Sequence, residues 1–236
     1  MSIHLILLIQ VFNHTSFRAS KILMTLFALD LGASAFTIGL LFAMFSVFPA
    51  FLSVLAGRLS DRIGFRTPML IGCCGLIGGL LLPWALPVLP ALFVSATLIG
   101  TCYIFYTVTV QHLIGTLGEG LVRTRNYSWY SLCVSVTALI GPVVAGFAIE
   151  SIGHRSTYLM MALLPLPALA MLVFLAPRVR RASAGGQSAA VRGRVLDLLR
   201  EGALRRVLIT AGILETGSEL GNFLLPIYGN AIGLSP

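Results

Sequence analysis

Long apolar runs, separated by short polar or basic junctions, repeat along the whole chain. A helix needs about 20 apolar residues to cross a bilayer. Seven stretches meet that length, at roughly 3–31, 35–57, 68–87, 90–114, 126–150, 156–177 and 206–230. The pattern predicts an all-α membrane protein. Residues 1–177 form a six-helix N-terminal bundle, 178–205 a basic Gly/Ser-containing loop, and 206–236 a seventh transmembrane helix that starts a C-terminal bundle. Within the loop, Val195, Leu198 and Leu199 share one stripe with arginines elsewhere, the pattern of a surface-lying amphipathic helix or of a soluble linker helix.

The first apolar run is interrupted by "NHTSFRASK", residues 13–21, which places His14, Arg18 and Lys21 inside a spanning helix. At 1.5 Å rise per residue, Arg18 is about 22 Å from Ile3 and about 20 Å from Leu31, too deep to snorkel fully to either surface. Ionisable residues at such depth face a bundle interior or cavity and mark a functional site with a nameable partner. Helix 7 supplies that partner. "LFALDLGAS" (26–34) resembles "IYGNAIGLS" (227–235) at an offset of 201. The same offset carries His14 onto Glu215, Arg18 onto Glu219 and Lys21 onto Asn222. Both triplets follow i, i+4, i+7 spacing, so each forms one stripe on its helix, one basic and one acidic. Arg18 is expected to pair with Glu219, and Lys21 with Glu215, as a charge relay or substrate-binding pair. A static ion pair locking the helices together is the structural alternative.

Composition sharpens this picture. Of 236 residues, 57% are hydrophobic and only 10% charged, against about 25% charged in soluble domains. The net charge of +8 does not mark a nucleic-acid binder, because the basic residues cluster in the junctions between apolar runs. Thirteen of them (Arg58, Arg62, Arg66, Arg123, Arg125, Arg178, Arg180, Arg181, Arg192, Arg194, Arg200, Arg205 and Arg206) fall on one side, against Arg155 on the other. The positive-inside rule then places the N-terminus and the central loop in the cytoplasm, in a plasma (inner) membrane. Cys73, Cys74, Cys102 and Cys133 lie within apolar runs without zinc-ligand spacing, so neither a metal nor a disulfide is expected. Trp84 and Trp129 fall near helix ends, as interface anchors do.

The junction between helices 2 and 3 reads "GRLSDRIGFR", residues 57–66. Gly57 ends a helix or allows close packing, Asp61 and Arg62 sit where surface charges can pair, Gly64 permits a tight turn and Pro68 suits a first helical turn. On the cytoplasmic side after a second spanning helix, Gly57, Leu59, Asp61, Arg62, Gly64 and Arg66 resemble the signature of the major facilitator superfamily of secondary transporters. Phe65 stands where that family often has a basic residue. The resemblance extends over the whole chain and implies an MFS-type six-helix bundle followed by helix 7. It also implies a gating role for Gly57, Asp61, Arg62, Gly64 and Arg66. In helix 5, "GPVVAG" (Gly141, Pro142, Gly146) resembles part of the antiporter signature, with Ala145 and Thr137 in place of expected glycines. It carries a lean toward proton-coupled efflux, and a proline-kinked packing site explains the same string. The family's proton-linked arginine of helix 4 is absent, and "QHLIG" (Gln111 to Gly115) occupies its region.

The expected function is therefore secondary active transport of a small solute by alternating access, with H+ as a candidate coupling ion, membrane lipid as the surroundings and no cofactor. No phosphate-binding loop, nucleophile elbow or metal-ligand cluster points to an enzyme. The family has twelve helices, and this sequence stops where helix 8 is expected. Transport is thus expected to need the C-terminal bundle or a second copy. A non-transporting membrane interaction protein is the alternative.

Overall fold

The computed structural model describes residues 2–175 and 202–231. The surface helix expected around 195–199 and the end of the repeat at 232–235 lie outside the described residues. Seven helical elements are present among them: α1 (Ile3–Asp30), α2 (Ala35–Ile63), α3 (Arg66–Ala85), α4 (Leu89–Thr116), α5 (Gly120–Leu163), α6 (Leu166–Phe174) and α7 (Gly202–Ala231). Four stretches are long and apolar enough to cross a membrane: Ala35–Ser60, Arg66–Ala85, Leu89–Thr116 and Gly120–Phe174. The protein is an all-helical, multi-pass integral membrane protein. Helix α1 has the length, but Gln10, Asn13, His14, Arg18 and Lys21 interrupt its apolar run.

The 55-residue stretch Gly120–Phe174 would measure about 80 Å if straight, far more than a bilayer core. It crosses twice. The backbone breaks at Gly153, whose φ of +76° is a left-handed conformation that favours glycine. Before the break, α5 passes Thr137 and Gly141 along the His14–Arg18 segment of α1. After it, Tyr158 meets Phe27, Ser16 donates to the Met161 carbonyl, and Val173 reaches Arg66 at the start of α3. The chain therefore turns back at Gly153, and α1 is gripped between the two limbs. Sequence reading expects separate helices at 126–150 and 156–177. The difference is that their connection is one glycine, while the break in the second limb falls at Pro165.

Lipid offers no hydrophobic drive for helices to associate, so close backbone approach and interhelical hydrogen bonds carry the packing. Gly72, Gly75 and Gly79 form a stripe on α3 where any Cβ would run into Tyr106, Cys102 and Ile99 of α4. Ser95 of α4 donates to the Gly79 carbonyl at 2.6 Å. Two apolar clusters result. One, toward the Gly153 end, includes Leu23, Phe27, Ile38, Leu80 and Tyr158. The other, toward the Gly64 end, includes Ile6, Met69, Tyr106, Val110 and Leu172. Phe17 packs against both, and the charged stripe of α1 lies at this waist.

At the Gly64 end, α2 runs on to Ile63, six residues beyond Gly57, and is closed by Gly64 (φ +81°), whose N–H bonds to Ser60. Gly57 therefore lies within a helix. A Cβ there would only touch Val108 at 4.0 Å.

Candidate functional site

Two helices build the site. Helix α1 offers His14, Arg18 and Lys21 on one face, and α7 rests mainly on α1, with Glu219 turned toward it. Lys21 Nζ donates to Glu219 Oε2 at 2.7 Å, while Arg18 Nη1 stands 3.8 Å from Glu219 Oε1. One carboxylate thus faces two cations. Lys21 is the more buried of them, and its ammonium also stands 5.5 Å from the Phe17 ring centroid, within cation–π range.

The geometry departs from the one-to-one pairing drawn from the repeat. Lys21 meets Glu219, and Glu215, one turn earlier on α7, is exposed. A repeat offset equates depth in the membrane. Side-chain reach decides contact, and a lysine stem extends one turn along the seam. His14 does not meet Glu215 either: its Nδ1 lies 2.6 Å from Thr137 Oγ1 on α5. Thr137 also donates to the Cys133 carbonyl at 2.6 Å. With the one hydroxyl proton placed there, His14 Nδ1–H is the donor to Thr137, and Nε2 is left as the basic nitrogen. The side chains of Asn222 and Asp61 lie outside what the structure describes.

Helix α5 sets the root of Arg18. A Cβ on Gly141 would come within 2.8 Å of the Thr15 carbonyl oxygen, 2.9 Å of Arg18 Cβ and 3.1 Å of the Ala19 nitrogen. Glycine is required there because the two backbones nearly touch. Pro142 and Gly146 are half-buried beside it, and Ala145 is fully buried against α1 residues of the core.

Behind the stripe, the Phe17 ring stacks on Tyr103 of α4 at 3.8 Å and 5°. Tyr103 and Tyr106 are buried in the bundle with polar neighbours at their hydroxyls: Gln10 and Thr107 lie beside Tyr103, and Asn13 beside Tyr106. From sequence, Tyr103 and Tyr106 can be read as cavity-lining or as packing residues, but their α1 neighbours Gln10 and Asn13 were passed over. The signal available was the pairing of Gln10 and Asn13, one turn apart, with three hydroxyl residues on α4.

At the Gly64 end, Arg66 Nη2 donates to the Val173 carbonyl at 2.9 Å, tying the start of α3 to the end of α6. Arg62 is exposed. At the opposite end, Arg155 donates to the Trp84 carbonyl at 2.8 Å and lies 5.9 Å from that indole. His154 Nδ1 is 3.7 Å from Asp30 Oδ2. These end contacts hold the Gly153 turn to α3 and α1.

Residues 6–236 match the family model described as Major Facilitator Superfamily. No curated protein matches the chain.

Proposed function

Because the chain belongs to the Major Facilitator Superfamily, whose members carry small solutes across membranes, we propose that it is a secondary active transporter working by alternating access. Its site is the face shared by α1 and α7. The observation that carries this reading is the meeting of Arg18, Lys21 and Glu219 within the spanning region. Charges at that depth are costly, and replacing such a cluster by apolar residues is often neutral or stabilising. Its worth therefore lies in what it binds.

The Lys21–Glu219 contact joins the N-terminal bundle to the first helix beyond it, where halves of such transporters move against each other. We propose that this contact opens and closes with the transport cycle and that a proton is the coupled ion, with Glu219 the group that exchanges it. The arginine-rich junctions support a plasma (inner) membrane setting with the Gly64 end cytoplasmic. They also support Asp61, Arg62 and Arg66 as the latch on that side. The Gly141–Pro142–Gly146 packing against Arg18 is compatible with the efflux direction. A central cavity needs a second bundle facing α1 and α7, from the same polypeptide or another copy.

The test is counterflow of candidate solutes in proteoliposomes with an imposed pH gradient. Solute movement that depends on the gradient, and that Glu219→Gln uncouples from it, supports the reading. Movement unaffected by Glu219→Gln would refute the role of this carboxylate.

A further inference from the structure

Arg18 has no part in the Lys21–Glu219 hydrogen bond. Lys21 holds the closer Glu219 oxygen at 2.7 Å, while Arg18 reaches the other only at 3.8 Å. Among the described residues Arg18 makes no hydrogen bond, and Glu219 is its ion-pair partner. Five N–H donors of a guanidinium are thus present in the spanning region on a side chain only 21% exposed. The root of that side chain is packed closely against α5, since even a Cβ on Gly141 would come within 2.9 Å of Arg18 Cβ. Its tip faces α7. A guanidinium with a closely packed root and uncommitted donors is a preorganised receptor for a flat two-oxygen anion.

Resting on the transport reading, we propose that Arg18 receives a carboxylate group of the transported solute, bound through two parallel N–H···O contacts. Lys21 keeps Glu219 occupied, so one cation remains for the solute, which matches a monoanionic group better than a phosphate dianion. A cationic solute would meet two positive side chains. A neutral polyol would leave the guanidinium unmatched. Glu215 lies exposed one turn away on α7, and its negative charge disfavours a second anionic group nearby.

The experiment uses the full chain in lipid nanodiscs. Thermal shift is measured with acetate, benzoate, succinate, inorganic phosphate, choline and glucose, for wild type, Arg18→Lys and Arg18→Gln. In parallel, a guanidine-directed glyoxal reagent is applied and modification of Arg18 is read by peptide mass, which needs no variant. The expected result is stabilisation by at least one carboxylate, weakened roughly tenfold or more in Arg18→Lys, lost in Arg18→Gln, with that same carboxylate protecting Arg18 from the reagent. Silence of all three carboxylates, binding of phosphate, choline or glucose alone, or carboxylate binding that leaves Arg18 fully reactive would overturn the proposal. Carboxylate binding at Arg18 without movement of that carboxylate in proteoliposomes would sink the transport reading and leave Arg18 as a carboxylate-binding site only. Transport of a cation or neutral solute by Arg18→Gln would do the reverse.

Discussion

Lys21 and Glu219, 198 positions apart in sequence, meet at 2.7 Å across the seam between α1 and α7. The contact is partly screened, since the Glu219 side chain is 29% exposed, but Lys21 is nearly covered. Removing one partner strands the other. Glu219→Gln and Lys21→Gln should each destabilise by about 1–3 kcal/mol, less than the roughly 3–5 kcal/mol for a fully buried pair because Glu219 is partly exposed. The double variant should cost less than their sum. Thermal unfolding of all four proteins in detergent checks this; strict additivity would show that the two side chains do not interact.

Gly141 and Gly57 should respond oppositely to the same substitution. Gly141→Ala drives a Cβ to 2.8 Å from the Thr15 carbonyl oxygen, and backbone cannot step aside without moving α5 off α1. Overpacking of this kind costs about 1–3 kcal/mol. Gly57→Ala meets only a methyl at 4.0 Å and should be neutral or stabilising by a few tenths, about the gain from a better helix former. Melting temperatures of the two variants, measured side by side, decide it.

Arg66→Ala removes the donor to the Val173 carbonyl at the Gly64 end. A hydrogen bond from a charged donor contributes about 1.5–3 kcal/mol, discounted here because the contact is solvent-facing, so a loss of about 1 kcal/mol is expected. The end of α6 should also become accessible: a cysteine at Val173 should label faster with a membrane-impermeant maleimide in Arg66→Ala than in the Arg66 protein. Equal labelling would remove the latch role from this residue.

His154 gives a pH signature at the Gly153 turn, outside the spanning limbs. Burial lowers its imidazolium pKa below the ordinary 6.5, and Asp30 partly opposes that shift. The folded state therefore binds this proton less readily than the unfolded chain. Stability from this group is full above pH 6.5 and is lost as pH falls below it toward the lower folded value. His154→Gln should flatten the fall between pH 7.5 and 5.5, and Asp30→Asn should steepen it. Melting curves across that interval test both signs.

Much of the fold was legible because lipid imposes strong length and polarity rules. The Ile3–Asp30 and Arg66–Ala85 boundaries fall within two residues of the apolar runs, and the i, i+4, i+7 stripe of His14, Arg18 and Lys21 could be read directly. The reversal between the expected helices at 126–150 and 156–177 was marked by the polar run from Glu150 to Thr157, while its narrowing to the single residue Gly153, with positive φ, was not. Contacts between helices were the least legible. Thr137 reads as a substitution in a glycine pattern, yet its hydroxyl meets His14. Arg155 reads only as the basic residue of the opposite side, yet it holds the Trp84 carbonyl. Periodicity tells which face a residue occupies, and says nothing of which neighbouring helix that face will meet.

The single-residue joint at Gly153 also bears on how the protein is made. The two limbs on either side of it have no slack between them, and the first carries no basic residue near the joint to hold it back. They cannot be threaded into the bilayer one after the other with a pause between, as segments on long loops can. A joint this short couples the two limbs, so they enter as one hairpin. Biogenesis of this half of the bundle is then a concerted event, and the Arg18 and Lys21 charges of α1 wait longer still, for Glu219 of α7.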